Sequence, residues 1–246
     1  MVEAVRKYSN PPIQETICEV YFDLAEPLSR RTIELLKDVW SSDYPEQKVV
    51  QEKSVDFHLS PEGIQTKEGN LGHRLICKTA DGKRLVQLSG LFFAVNQRRP
   101  YPGWEEAFRG TILQRFEDLQ KTIGPLRFTR VGLRYINRID VPQVPLLWEE
   151  WFQINLSVPR LSGSKQREFQ MQFHQELPES RRLVINVAAL PSPDGKISPV
   201  ILDLDLIWQE TPRQPGELAQ VLEQVHGPHR LAFESYLRDN VRKLFD

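Results

Sequence analysis

The sequence is poor in cysteine and has no long apolar run. Only Cys18 and Cys77 occur among 246 residues, and the opening segment MVEAVRKYSNPPIQ lacks the apolar stretch of a signal peptide. No segment approaches the roughly 18 consecutive apolar residues that a membrane-spanning helix needs. The sequence therefore predicts a cytoplasmic protein with two buried thiols, no disulfide framework and no membrane partner.

An excess of charge of either sign is also lacking. Lysine and arginine together number 32, and aspartate and glutamate 33, so the net charge is −1. Proteins dedicated to duplex DNA usually carry a basic excess, which this composition does not supply. Hydrophobic residues make up 40% and charged residues 26% of the chain. This is the balance of an ordinary globular protein, and the chain is long enough for a sizeable core.

The motifs of familiar enzymes and metal sites are absent as well. The sequence has no GxxxxGK[ST], GxGxxG, GxSxG, HExxH or CxxC motif. His73 and Cys77 share one face of a predicted strand but stand about 13 Å apart at the backbone, too far for a thiol–imidazole pair. His226 and His229 flank Gly227–Pro228 at a predicted helix break, where a capping or exposed role is expected. The sequence predicts no catalytic residue, no metal and no cofactor.

The residues that are present recur with strand and helix periods. Segment 15–24 has apolar residues at every second position, which predicts a strand, whereas 27–40 has the apolar spacing of a helix. A second, longer amphipathic helix is predicted over 103–124. The Asp-Gly pairs at 81–82 and 194–195 are typical of hairpin turns between two alternating segments.

The predicted order of elements occurs twice. Strand, helix, strand, hairpin and helix appear in residues 1–125 and again in 126–246, and GLFFAVNQ adds a further strand to the first half. The sequence therefore predicts an α+β fold of two similar β-α-β-β-β-α halves, with largely antiparallel sheets packed with helices. The halves are expected to share a core in one compact unit. One continuous sheet and two packed sheets both fit the pattern.

One predicted strand, RFTRVGLRYINRID, carries an arginine at every fourth position. Arg130, Arg134 and Arg138 share a face, because side chains of a strand alternate between its two faces. The other residues of that face are Phe128, Gly132 and Ile136. Asp203 and Asp205 share a face of a second predicted strand, which favours an internal cross-strand ion-pair network. The alternatives are an anion or partner site lined by the arginines, plain solvent exposure, and a metal or acid–base site at the aspartates.

Small and aromatic residues near the arginines complete a candidate binding surface. Gly132 leaves a gap over the strand, as glycine often does where a ligand or another chain approaches closely. Tyr135 follows on the same strand, and Arg98–Arg99 lie beside Tyr101 and Trp104. Arginines combined with aromatic rings are typical of single-strand nucleic-acid sites. The candidate binding residues are Arg130, Arg134, Tyr135, Asn137, Arg138, Asp203, Asp205, Tyr101 and Trp104.

Four segments carry a resemblance to a known family. They are NPPIQETICEVYF, YPGWEEAF, VGLRYINRI and the closing pattern LDLDL…H…F, and together they span nearly the whole chain. The chain resembles a sporadically distributed family of bacterial proteins of about this length and of unknown function, of which GLRYINRI is the most specific segment. The resemblance implies a cytoplasmic accessory protein and brings no catalytic residues with it.

A narrower similarity concerns the small accessory proteins encoded beside the caspase-like protease of type III-E CRISPR loci. The chain is similar to them in size and type. This resemblance implies a role in antiviral defence. It also implies that the work is the binding of protein partners encoded in the same operon, and not the cutting of a substrate.

The sequence leaves three functions open. The first is a non-enzymatic interaction protein that meets its partners at exposed sheet edges or aromatic patches. The second is a binder of single-stranded nucleic acid or of a nucleotide through the arginine strand. The third is an enzyme of unfamiliar type with a site between the halves, for which Arg134, Asn137 and Asp203 are the first candidates. The missing catalytic motifs and the balanced charge favour the first.

Overall fold

The computed structural model describes residues 6–60, 63–154 and 168–246, with the backbone only for 53–60 and 63–71. Within these residues the chain forms one nine-stranded sheet whose order is β2-β3-β4-β5-β1-β6-β9-β8-β7. The strands are β1 (Ile13–Phe22), β2 (Glu46–Ser60), β3 (Gly63–Lys78), β4 (Arg84–Leu88), β5 (Phe92–Arg98), β6 (Phe128–Val141), β7 (Phe169–Leu177), β8 (Arg181–Ala189) and β9 (Ser198–Arg213). Neighbouring strands are antiparallel throughout, which confirms the predicted α+β class and gives a single continuous sheet.

Five helices accompany the sheet in the described part of the chain. They are α1 (Arg30–Trp40), α2 (Arg109–Ile123), α3 (Trp148–Trp151), α4 (Leu218–Tyr236) and α5 (Asp239–Arg242). A π-helical turn, Trp104–Phe108, leads directly into α2. Ser29 caps α1, because its hydroxyl accepts a hydrogen bond from the Thr32 backbone N–H at 3.2 Å. None of these helices combines the length and the apolar character that crossing a membrane requires.

The two halves of the sequence meet at the centre of the sheet, where β1 pairs with β6. In each half, the last strand before the long helix returns to pair with the first strand, so β5 lies beside β1 and β9 beside β6. The second half has the predicted β-α-β-β-β-α order, and the first half has one strand more. The turn at Asp81 joins β3 to β4, whereas the turn at Asp194 joins β8 to β9. Counted outward from the β1–β6 pair, the first turn joins the third and fourth strands of its half and the second turn joins the second and third. The two turns are therefore not in equivalent positions.

One face of the sheet is covered by helices and forms the core. Trp40 of α1 and Phe116 of α2 both lie against Phe93, with ring centroids 6.4 and 6.2 Å apart. Alternate side chains of the central strands are fully buried beneath them: Cys18, Val20, Val95, Val131, Leu133, Leu202, Leu204 and Leu206. Removing this apolar layer from water is the main favourable term in folding.

The two predicted faces of β6 are confirmed along most of the strand. Val131 and Leu133 are buried under the helices, and the three arginines point to the opposite face. The placement of Phe128 on the arginine face is wrong, because the pairing of β6 with β9 shifts register between Phe128 and Arg130. Phe128 is fully buried in the core, since an irregularity of this kind changes the side to which the following residues point.

The face that carries the arginines has a different character, and we call it the polar face. No helix in the described residues packs against it; α1, α2 and α4 all contact the first face. Its side chains are a mixture of charged, amide and aliphatic groups, among them Glu19, Arg134, Asp203, Asn186 and Gln172. Polar groups on this face must therefore be satisfied by one another or by water.

The contrast between the faces gives a first prediction. Phe93→Ala removes a fully buried ring from the core, and we expect it to lower the free energy of unfolding by about 3–5 kcal/mol. Phe173→Ala removes the same group from the edge strand β7, where the ring is 40% exposed, and should change that free energy by only about 0.5 kcal/mol. Urea denaturation of both variants measures the difference. Equal losses would contradict the assigned core.

Candidate functional site

The arginine strand is held by an ion pair within the sheet. Arg134 donates to Asp203 through two hydrogen bonds, Nε to Oδ1 at 2.8 Å and Nη2 to Oδ2 at 2.6 Å. Asn186 on β8 donates a third bond to Asp203 Oδ2 at 3.1 Å. Asp203 is 5% exposed, so its charge is compensated by these donors. The predicted cross-strand pairing is confirmed for this arginine.

The other two arginines also have carboxylate partners, but not the predicted aspartates. Arg130 Nη1 lies 3.6 Å from Glu19 Oε2 on β1, and its guanidinium stacks over the Tyr21 ring at 4.3 Å. Arg138 Nε donates to Asp140 Oδ1 on the same strand at 2.9 Å. Each arginine of the strand is therefore neutralised locally, which lowers the positive potential that a phosphate would meet there.

The space above Gly132 is bordered by two charged side chains. A Cβ at Gly132 would lie 3.4 Å from Asp205 Oδ1 and 3.7 Å from Arg130 Nη2, which is ordinary packing distance. Burial raises the pKa of the Asp205 carboxyl to about 6, and the nearby Arg130 only partly offsets this. The predicted gap over Gly132 is therefore present, with room for a methyl group between Asp205 and Arg130.

A polar groove of about 490 Å³ runs beside the Arg134–Asp203 pair. Its walls include Gln170 and Gln172 of β7 and Asn186 of β8. Gln172 Nε2 donates to Asn186 Oδ1 at 2.8 Å, so a chain of amide and carboxylate groups runs from the edge of the sheet to Arg134. These groups can donate and accept hydrogen bonds, and both oxygens of the Asp203 carboxylate are engaged by Arg134 and Asn186.

The outer border of this groove is the edge strand β7. All nine residues of β7 pair with β8 in unbroken register from Phe169 to Leu177. In the described part of the chain, no strand lies on its other side. The segment FQMQFHQEL contains one acidic residue, Glu176, and no lysine, arginine or proline. Its backbone therefore offers a regular row of hydrogen-bonding groups at the end of the sheet.

A second site, which we call the junction cavity, lies between the two halves on the helix side of the sheet; it is partly open to solvent and has a volume of about 550 Å³. Tyr101 and Trp104 line it from the first half, and Tyr135 and Asn137 of β6 line it from the second. The hydroxyls of Tyr101 and Tyr135 lie 3.0 Å apart in a hydrogen bond. A cavity of this size and composition is typical of small-molecule sites.

Two histidines of α4 also line the cavity, and the sequence interpretation of them was wrong. Helix α4 continues through Pro228 without a break, and both side chains are buried, His226 at 7% and His229 at 3% exposure. His226 stacks on Trp104 with the ring centroids 4.1 Å apart. Burial lowers the pKa of His226 to about 3 and that of His229 to about 4, so both rings are neutral at pH 7.

Hydrogen bonds fix the orientation of the polar groups in the cavity. The neutral His229 ring donates from Nε2 to the Leu204 carbonyl oxygen at 3.0 Å, which assigns its proton to Nε2. Asn137 Nδ2 donates to the carbonyl oxygens of Leu202 at 3.0 Å and Tyr135 at 3.3 Å. Both amide hydrogens of Asn137 are therefore used within the protein, and its Oδ1 is left as an acceptor.

The nine predicted binding residues separate into two groups on opposite faces of the sheet. The polar face holds Arg130, Arg134, Arg138, Asp203 and Asp205. The junction cavity holds Tyr101, Trp104, Tyr135 and Asn137. The proposed grouping of Arg134 and Asp203 with Asn137 in one site is wrong, because Arg134 and Asn137 are three residues apart, and strand residues separated by an odd number of positions face opposite ways.

Sequence reasoning missed His226, His229, Gln172 and Asn186 as members of these sites. The two histidines stand three residues apart, a spacing that places both side chains on one helix face, and this was the available signal. No cluster of three or more metal-ligating side chains occurs in residues 6–60, 63–154 and 168–246. Comparison of the sequence with protein-family models and with curated proteins finds no match.

The carboxylate partner of Arg134 is buried and that of Arg138 is exposed, and this difference gives a second prediction. Arg134→Ala leaves the buried Asp203 carboxylate with one donor fewer on each oxygen, and we expect a loss of about 2 kcal/mol in the free energy of unfolding. Arg138→Ala, on the same strand, breaks only an exposed pair and should cost about 0.5 kcal/mol or less. Denaturant titration compares them. Equal small losses would show that Asp203 does not depend on Arg134.

The raised pKa of Asp205 gives a third prediction. Because its folded pKa of about 6 lies above the unfolded value near 3.9, the carboxylate destabilises the fold above pH 6, and this cost disappears as the pH falls toward 4. Asp205→Asn should therefore raise the free energy of unfolding by about 1–3 kcal/mol at pH 8 and by much less at pH 4. Denaturation across this pH range, with Asp140→Asn as an exposed control, tests it. A difference in the free energy of unfolding that does not change with pH would contradict a buried Asp205 carboxylate.

Proposed function

We propose that this chain is a non-enzymatic accessory protein that binds a protein partner by adding an extended segment of that partner to β7. The observation that carries the proposal is the regular nine-residue edge formed by Phe169–Leu177. Strand addition is a common mode of peptide recognition, in which main-chain hydrogen bonds supply affinity and the side-chain pattern supplies specificity.

The composition of β7 supports this reading. Natural proteins usually protect an edge strand with lysine, proline, a bulge or a short length, since an open edge would otherwise pair with other chains. β7 has none of the first three devices and is longer than a typical strand. An edge left in this state is suited to a strand that arrives from elsewhere.

The side chains of β7 define the partner segment. Gln170 and Gln172 point to the polar face, and Met171 and Phe173 point to the helix side. A strand docked alongside would place its alternate residues next to these two sets. The partner segment is therefore an extended one that alternates hydrogen-bonding and apolar side chains.

The resemblance of the sequence to bacterial accessory proteins suggests where the partner is found. We propose that it is encoded in the same operon, as part of a defence system that includes CRISPR-associated loci. The nucleic-acid alternative has less support, because each arginine of β6 already faces a carboxylate within 3.6 Å. The balanced net charge of −1 supports the same preference.

A matched pair of variants tests the edge, and this is the fourth prediction. Met171→Lys combined with Phe173→Lys adds two positive charges to β7, which should weaken partner binding by about tenfold or more, because charge on an edge opposes strand addition. Leu35→Lys combined with Val39→Lys makes the same change at exposed sites on α1 and should leave binding intact. Affinity capture from the native host identifies the partner, and titration calorimetry then measures both variants.

Hydrogen exchange supplies the decisive control. In the complex, the backbone amides of Phe169–Leu177 should exchange more slowly than in the free protein, and those of α1 should not change. Circular dichroism and thermal melting confirm that both double variants are folded. Unchanged binding by the β7 variant, or protection confined to another element, would refute strand addition. Recovery of nucleic acid without a stoichiometric protein would favour the alternative.

A further inference from the structure

The junction cavity is separate from the edge strand and has its own chemistry. It lies on the opposite side of the sheet from the polar groove, and none of its walls comes from β7. Aromatic rings from both halves form its sides, chiefly Tyr101, Trp104 and Tyr135. Flat apolar walls of this kind favour a planar ligand, because rings gain both buried area and favourable stacking contacts.

Two buried residues of the cavity lining, His229 and Asn137, each carry an acceptor atom. His229 carries its proton on Nε2, so Nδ1 is an acceptor, and Asn137 Oδ1 is the unoccupied end of an amide whose hydrogens are already used. Neither atom has a hydrogen-bond partner in the described residues. Two acceptors in a buried wall require donors from a ligand or from water.

A neutral histidine and a tyrosine pair add further hydrogen-bonding groups that can orient a ligand. The neutral His226 ring has one donor and one acceptor nitrogen, and neither is bonded to a described residue. In the Tyr101–Tyr135 pair, one hydroxyl donates to the other, which leaves one hydroxyl hydrogen available. Charged side chains of both signs also line the cavity: Arg6, Lys7 and Arg230 are cations, and Glu105, Glu106 and Glu234 are carboxylates. Because the three positive and three negative charges balance, the lining favours no net charge on a ligand, and an uncharged ring fits it.

We infer that the junction cavity binds a small, uncharged heteroaromatic molecule that carries an amino group, of the class that includes adenosine and cytidine. The exocyclic amino group supplies the N–H donors that Asn137 Oδ1 and His229 Nδ1 require, and the ring lies among the aromatic walls. This inference does not depend on the edge strand, so either proposal can fail without the other.

The fifth prediction compares two ligands that differ in one group. Titration calorimetry with adenosine and with cytidine should detect binding to the full chain. Purine riboside, which is adenosine without its amino group, should bind about tenfold or more weakly, since the loss of a buried hydrogen bond costs about 1.4 kcal/mol or more. Equal affinity for adenosine and purine riboside would overturn the inference, as would the absence of binding by both adenosine and cytidine.

Ring-conserving variants locate the site. His226→Phe keeps the stack on Trp104 and removes both ring nitrogens, and it should weaken adenosine binding severalfold. His174→Phe makes the same change on β7, outside the cavity, and should have no effect. Tyr101→Phe removes one hydroxyl of the tyrosine pair and serves as a second cavity variant if His226→Phe does not fold. Wild-type affinity in a folded cavity variant would place the ligand elsewhere and refute the assignment.

Discussion

The register of β6 at the centre of the sheet is the constraint on which the other features depend. β6 pairs with β1 on one side and with β9 on the other, so it joins the two halves and carries side chains to both faces. A shift of one residue would exchange the faces and place arginines among the helices. The apolar positions Val131 and Leu133 prevent this, because their burial under α2 and α4 outweighs any pairing that the arginines could find there.

The charged side chains of the polar face contribute more to fixing one strand register than to the net free energy of folding. Arg134 and Asp203 form a two-bond pair that fits a single register of β6 against β9. A half-exposed pair of this kind gains little free energy over a well-packed apolar replacement. It penalises every other register, however, because Asp203 would then be buried without a donor. Asp205 illustrates the cost: no arginine of the described residues donates a hydrogen bond to it, and burial raises its pKa.

The sequence predicts the elements and the faces well, because both follow from local periods. Alternation indicates which side of β6 is apolar, and the opposite charges of the two strands favour the pairing of Arg134 with Asp203. Partners that depend on strand order could not be predicted, since nothing local indicates that Glu19 lies beside Arg130. The sequence predicts a helix break near Gly227–Pro228, yet Pro228 lies inside α4, where packing against the sheet compensates the lost backbone hydrogen bond. That one misinterpretation concealed the histidines of the junction cavity.

The two candidate sites share backbone but no side chain. Asn137 donates to the Leu202 carbonyl oxygen and His229 to the Leu204 carbonyl oxygen, so the cavity holds the β9 peptide groups on either side of Asp203. The side chain of Asp203 emerges on the polar face between these two fixed points and meets Arg134 and Asn186. These two hydrogen bonds therefore help to orient the Asp203 carboxylate, although neither of them is made to its side chain. Because side chains of a strand alternate between its faces, a molecule in the cavity cannot contact the polar face directly. It can affect the Arg134–Asp203 pair only by shifting the backbone of Leu202–Leu204.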